Sequence, residues 1–275
     1  MLRQPVNLGS VVDDLQYQMA NSDVVNIVGT NSTGVASSSP DACALKAPSG
    51  IISYEPDELM ISIFAGTTMN EINTELQRVR QRIVIPEWGT IGGAIATCRN
   101  GLRESHHQTL PNNVLRCTVV AADGSLFQGG GQVVKNVSGF DLVKLLVSSW
   151  GLLGLIVEVT MRTEPIPQVS QWVQSPEPVA SEQISNLYRP AVVTRVDGVM
   201  YVLLEGHKLD VEQEISHLHG FALCESPNFI HSTSLTNLHR LSQDLPHSIE
   251  WDIRKQFDPT NKLNRHIAIQ RNLFT

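Results

Sequence analysis

The sequence predicts an α+β protein of two units, on three observations. Apolar residues recur at helical spacing in some stretches and alternate in others, so helices and strands interleave along the chain. Three glycine-rich segments punctuate the first 156 residues. Pro165, Pro167, Pro176 and Pro178 then cluster ahead of a shorter second region. The expected division is a first unit at residues 1–165, a reduced α+β unit at 166–250, and a C-terminal helix and tail at 251–275.

Each element has its own signal. Val12, Leu15 and Met19 fall near one helical face, and residues 24–28 make a short buried strand. GTNSTGVASSS follows as a loop with little to bury. Leu59, Ile61 and Ile63 alternate as a strand, and Ala65-Gly66-Thr67-Thr68 turns it into a helix. Thr68 with Glu71 forms a capping box there, and Met69, Ile72, Leu76 and Val79 line one face. A short strand starts at residues 83–85, and a longer one spans 114–121. An Asp123-Gly124 turn closes the longer strand, with Leu126 and Phe127 returning beside it. Leu142, Leu145 and Leu146 predict a short buried helix, and residues 155–161 a strand with alternating faces.

In the second region a helix is expected near 181–187. Strands at 192–196 and 200–204 flank the hairpin dipeptide Asp197-Gly198. A helix over 209–218 places Val211, Ile215 and Leu218 on one side, and 251–257 reads as a short terminal helix. Residues 229–246 are too mixed to assign.

Composition narrows the function. The 275 residues are 41% hydrophobic and 17% charged, enough apolar content for a sizeable core. Lys plus Arg total 20 against 27 for Asp plus Glu, a formal charge of −7, which argues against a nucleic-acid backbone as main partner. Cys43, Cys98, Cys117 and Cys224 form no CxxC pair, and the histidines are scattered, so no metal site is expected. The opening MLRQPVNLGS has no signal-peptide core, and no apolar run approaches a membrane span. The expected location is cytoplasmic, with membrane association only through partner subunits.

The glycine-rich segments carry the functional signal. Gly29, Thr30, Asn31 and Ser32 follow a strand, where converging main-chain N–H groups suit a pyrophosphate; a simple polar turn is the alternative. Thr90, Gly92, Gly93 and Ala94 permit close approach by a flat ligand, or equally by another backbone. The third segment holds Lys135, Gly139 and Asp141, then Gly154, Leu155 and Ile156. Asp141 suits a helix cap, and Gly154 would bring peptide groups against a planar ring. Neither GxGxxG nor GxxxxGK[ST] is present, so the nicotinamide and P-loop motifs do not apply.

In their order, these segments resemble the vanillyl-alcohol-oxidase-type (PCMH-type) FAD-binding family, and within it the E subunits of bacterial glycolate oxidases. IVGTNSTG resembles the pyrophosphate loop, YEPDELMISIFAGTTMNEI the strand–helix passage after it, and TIGGAIAT the second flavin loop. GGGQVVKNVSGFDLVKLLVSSWGLLGLIVEVTMRTEP is the most specific block, and the likeness reappears at FDPTNKLN. The resemblance implies two α+β subdomains around FAD, followed by a short α+β cap-like domain. By it, Gly29, Thr30, Asn31 and Ser32 cradle the pyrophosphate, and Thr90, Gly92, Gly93 and Ala94 lie along the ribityl and pyrophosphate region. Lys135 would lie near phosphate or ring, Gly139 and Asp141 would shape the site, and Gly154, Leu155 and Ile156 would present backbone to the cofactor.

The implied activity is that of an FAD-binding subunit of a 2-hydroxy-acid (glycolate) oxidase complex. It would work beside a homologous FAD-binding catalytic subunit and an iron–sulfur subunit. The chain departs from the family pattern at residues 108–113 and at Asn264-Arg265-His266. Two other readings stay open: a scaffold subunit with weakened FAD binding, and a self-contained small oxidoreductase. His106 and His107, with Arg99 and Arg103 nearby, are local candidates for substrate chemistry, and a solvated loop is the plainer reading. No catalytic residue is assigned.

Overall fold

The structure is a computed structural model that describes residues 8–32, 41–99, 101, 103, 110–131, 141–227 and 247–270. The first unit opens with α1 (Leu8–Asn21), β1 (Val25–Ile27), β2 (Cys43–Leu45), β3 (Ile51–Glu55), β4 (Met60–Phe64), α2 (Met69–Gln77) and β5 (Gln81–Arg82). It continues with α3 (Ile91–Ala96), α4 (Leu110–Asn113), β6 (Val114–Val120), β7 (Leu126–Gly130), α5 (Leu142–Leu146), β8 (Leu155–Arg162) and β9 (Glu164–Pro165). The second unit holds β10 (Val169–Ser175), α6 (Ser181–Ser185), β11 (Val192–Val196), β12 (Val199–Gly206), α7 (Lys208–His217) and β13 (Ala222–Cys224). Finally α8 (His247–Phe257) and α9 (Arg265–Gln270) return to the first unit.

The main sheet is antiparallel in the order β3-β4-β8-β6-β7, and β1 pairs with β2 in parallel. On one face Ile61, Ile63, Val119, Ile156, Val159 and Met161 pack against Met69, Ile72 and Leu76 of α2 and Ile91, Ala94 and Ile95 of α3. On the other, Val120, Leu155 and Val157 meet Leu15, Met19, Val25, Leu45 and Leu263. Each such large aliphatic side chain gains about 1.5–3 kcal/mol over exposure. Strand β8 sends side chains to both faces as expected, and because both are covered, only Glu158 and Arg162 are part-exposed in it. The Thr68–Glu71 capping box forms as expected.

Two strands differ from expectation. The short strand near residues 83–85 lies instead at Gln81–Arg82, paired with β9. Its anchor is polar: the Gln81 side chain accepts from Tyr54 Oη at 2.8 Å and Thr163 Oγ1 at 2.6 Å, and donates to the Pro56 carbonyl. The proline cluster also conceals β10, whose full length pairs with β12 from Val169 against Gly206 to Ser175 against Met200. Pro165, Pro167 and Pro176 flank that strand without interrupting it.

The second unit is one antiparallel sheet, β11-β12-β10-β13, with α6 and α7 packed through Leu187, Val211 and Leu218 onto Val173, Val202 and Leu204. Its hairpin turns at Asp197 and Gly198, with φ of 50° and 84°, the signature of a type I′ turn. A carboxylate clasp ties it to the first unit: Glu205 accepts from Arg82 at 2.6 Å and from Arg103 at 2.9 Å. At the C-terminus, expected as a tail, Leu263 bridges to Val25 and so lies against β1.

Candidate functional site

One cleft, with a cavity volume of about 120 Å³, gathers the glycine-rich segments. Three segments distant in sequence line it: residues 27–32 after β1, residues 90–97 of α3 and its cap, and residues 150–156 leading into β8. Asn264, His266 and Ile267 complete the wall.

Local bonding explains this convergence. Thr90 caps α3 by accepting from Gly93 N, and the helix start is stitched to the β4–α2 turn by Ile91 N to Thr67 O and Gly92 N to Ala65 O. The far end of α3 holds the third segment, through Ser148 N to Ile95 O and Trp150 N to Ala96 O. Asn264 then joins first and third segments: its Oδ1 accepts from Ile27 N and its Nδ2 donates to Trp150 O, both at 2.7 Å. Asn264 is 2% exposed and sits in the left-handed region at φ 43°, which Asn tolerates better than most residues.

The first loop is open to a ligand. Among the described residues, the N–H groups of residues 29–32 donate to no main-chain carbonyl, and Asn31 at φ 54° turns the loop in the manner of an anion-binding nest. Thr90 Oγ1 lies 3.0 Å from where a Gly29 Cβ would sit and 3.1 Å from a Gly93 Cβ, so small residues are needed on both loops. Main-chain N–H groups with no carbonyl partner among the described residues, and glycines on facing walls, together fit an extended phosphate-bearing cofactor.

Arg99 is the main departure from the solvated-loop reading. Helix α3 ends in a Schellman motif, with Arg99 N donating to Ala94 O, Cys98 N to Ile95 O, and Cys98 in the left-handed region at φ 49°. That reversal sends Arg99 back into the cleft wall, where it is 2% exposed. Its guanidinium stacks on the Trp88 ring at 3.5 Å and donates to the Trp88 carbonyl at 2.5 Å. Its buried Nε has no partner among the described residues. Burial lowers its pKa to about 10, which leaves it charged near neutrality.

The expected site residues divide clearly. Gly29, Thr30, Asn31, Ser32, Thr90, Gly92, Gly93, Gly154, Leu155 and Ile156 all line the cleft. Ala94 does not: it is fully buried in the core beside Ile91 and Ile95. Asp141 is exposed and off the cleft, capping α5 through Lys144 N and pairing with the Lys144 side chain. Lys135, Gly139, His106 and His107 lie outside the described residues. Gly154 and Gly92 have packing reasons as well, because a Cβ would lie 2.5 Å from Val119 Cγ1 and 2.8 Å from the Ala65 carbonyl oxygen, respectively. Arg99, Trp150, Asn264 and His266 line the cleft as well. The sequence offers Arg99 only as a candidate for substrate chemistry and Trp150 and Asn264 only within blocks of family likeness, and it does not single out His266 for the lining.

Comparison with known proteins agrees with this geometry. Residues 1–130 match the family model described as FAD binding domain. The glycolate oxidase subunit GlcE of Escherichia coli is 30% identical over 168 residues, 57% of this chain and 48% of that protein. A D-lactate dehydrogenase of Archaeoglobus fulgidus is 43% identical over 79 residues, 29% of this chain and 18% of that protein. The glycolate oxidase subunit GlcD of Bacillus subtilis is 35% identical over 82 residues, 30% of this chain and 17% of that protein. In each case the match spans less than half of the relative. Alkyldihydroxyacetonephosphate synthase shares the fold, with a TM-score of 0.58 and 16% identity over 74% of this chain and 47% of that one. Residues 1–130 thus match an FAD binding domain, and FAD is the cofactor that this match and the similar flavoprotein subunits support.

Proposed function

We propose that this chain is an FAD-binding subunit of a 2-hydroxy-acid dehydrogenase assembly, with substrate activation supplied by a homologous partner. The convergence of residues 27–32, 90–97 and 150–156 on one cleft carries this reading. The likeness to glycolate oxidase subunits and a D-lactate dehydrogenase suggests the substrate class. A bound flavin would supply the two-electron acceptor that oxidising a hydroxy acid requires. The chain's own residues hold it: N–H groups of residues 29–32 for the phosphates, Thr90 and Gly93 along the chain of the cofactor, and peptide groups of residues 154–156 for the ring.

The cleft lining also supports a partner. Hydroxy-acid oxidation needs a base for the hydroxyl proton and a cation for the carboxylate. Among the described cleft-lining residues the basic side chains are Arg99 and His266, and none is a carboxylate. Arg99 is stacked on Trp88 and turned toward Gly89 and Ser32, so His266 is the other basic group among the described lining residues. Electron transfer onward to an iron–sulfur subunit is part of the same proposal.

Purified protein should be yellow and release FAD on acid extraction, and a homologous flavoprotein should copurify from the native host. A folded, colourless chain that takes up no added FAD would overturn the reading. Turnover of a 2-hydroxy acid by the chain alone would remove the partner from it.

A further inference from the structure

We infer that Arg99 is the cation that recognises the diphosphate of the bound dinucleotide, held ready by Trp88 at the seam between the first two loops. The position is defined from several sides. A Cβ on Gly89 would lie 2.6 Å from Arg99 Nη1 and 2.8 Å from Ser32 Oγ, so the guanidinium and the first-loop hydroxyl crowd the same point. A Cβ on Gly93 would lie 3.1 Å from Thr90 Oγ1 and 3.8 Å from Arg99 Nη2. The charge therefore stands where the Ser32 hydroxyl, the Thr90 hydroxyl and the loop glycines meet.

Burial gives the position its meaning. A guanidinium only 2% exposed should have a carboxylate partner, because an unpaired buried charge is costly. Among the described residues none of the ion pairs involves Arg99. The aromatic face and one carbonyl compensate part of the cost, and the Nε remains without a partner. A ligand anion completes the set, and the planar fork of arginine suits bidentate contact with phosphate oxygens. The Schellman reversal at Cys98 and the stack on Trp88 fix the side chain before ligand arrives, which reduces the ordering cost of binding.

The inference rests on the flavin reading of the cleft, and its test separates the two. Arg99→Met and Arg99→Lys variants of the full chain, freed of flavin, would be titrated with FAD, ADP and riboflavin at low and high salt. Arg99→Met should weaken FAD and ADP by about tenfold or more, the scale of one charge-assisted hydrogen bond, and leave riboflavin unchanged. It should also flatten the salt dependence, which Arg99→Lys should largely keep. Thermal unfolding of the flavin-free variant checks that it folds; loss of an unpaired buried charge should leave its stability equal or higher, while stabilisation by added FAD shrinks.

Equal losses for FAD and riboflavin, or an unchanged FAD affinity and salt slope, would overturn the inference and leave Arg99 as a clamp on the Trp88 loop. Arg99-dependent ADP binding by a wild-type chain that ignores FAD would sink the flavin reading alone. A wild-type chain that binds neither would sink both.

Discussion

Asn264 donates its side-chain amide to the carbonyl of Trp150 at 2.7 Å across 114 residues of sequence. The same amide oxygen accepts from Ile27 N, so one buried side chain fixes the spacing between the first loop and the approach to β8. Replacing it by Leu strands two main-chain groups at a cost of about 1–3 kcal/mol each. Asn264→Leu should lower the thermal midpoint and weaken FAD together, whereas a purely local cap would leave flavin affinity unchanged. Calorimetry with and without FAD separates these outcomes.

Gly154 is held by packing as much as by any ligand. At φ 144° an added Cβ would lie 2.5 Å from Val119 Cγ1 and 2.8 Å from the Val120 carbonyl oxygen. Gly154→Ala should therefore destabilise the flavin-free protein by about 2–4 kcal/mol, from overpacking and backbone strain combined. Gly198→Ala is the control: φ is 84° but nothing lies within 4 Å, so only the conformational cost of about 1 kcal/mol is expected. Urea midpoints of the two variants should differ clearly, and equal midpoints would refute the packing argument.

Burial pushes the Cys117 thiol up to about 12, with the Glu158 charge adding to it. The folded value lies above the roughly 8.5 of a free thiol, so the native state keeps the proton. Stability from that proton is fully present below the unfolded value and is lost as pH rises toward the folded one. The urea midpoint should fall from about pH 8.5 upward toward the folded value, and fall less in Cys117→Ala. Alkylation followed by mass spectrometry should mark the half-buried Cys43 and Cys224 first, and Cys117 only as the chain unfolds. Early labelling of Cys117 would contradict the assignment.

The Glu205 clasp predicts coupling between the two units. Its carboxylate is 4% exposed and serves Arg82, Arg103 and the Ser170 hydroxyl. Glu205→Ala leaves Arg82 with Glu164 alone and Arg103, about a third exposed, without this partner, which costs about 1–3 kcal/mol. Limited proteolysis should then cut at residues 166–168 well before wild type does. Unchanged cleavage would show that the sheet contacts alone hold the units together.

Features set by neighbouring residues were legible in the sequence. The Thr68–Glu71 box and the Asp197-Gly198 turn each need only a few consecutive residues, and both form. The glycine segments were legible as places where a ligand or another backbone comes close, and Gly92 and Gly154 meet the second need as well. Long-range reasons were hidden. Asn264 gains its role from Ile27, 237 positions away, and although FDPTNKLN marks the stretch, no local pattern gives the partner. Arg99 looked solvated because its burial depends on a Schellman reversal at a cysteine, where a glycine would have flagged the turn. Strand β10 was obscured by prolines that bound it, and Ala94 was credited to the cofactor although its methyl group faces the core.

The bridge from Leu263 to Val25 has a consequence for the order of assembly. The loop at residues 27–32 precedes by more than two hundred positions the residue that locks it against the far wall. Until that residue is added the nascent chain carries a half-built receptacle whose main-chain donors face water. Closure of the cleft wall therefore waits on a segment made long after the loop itself, so the early residues cannot complete the receptacle on their own.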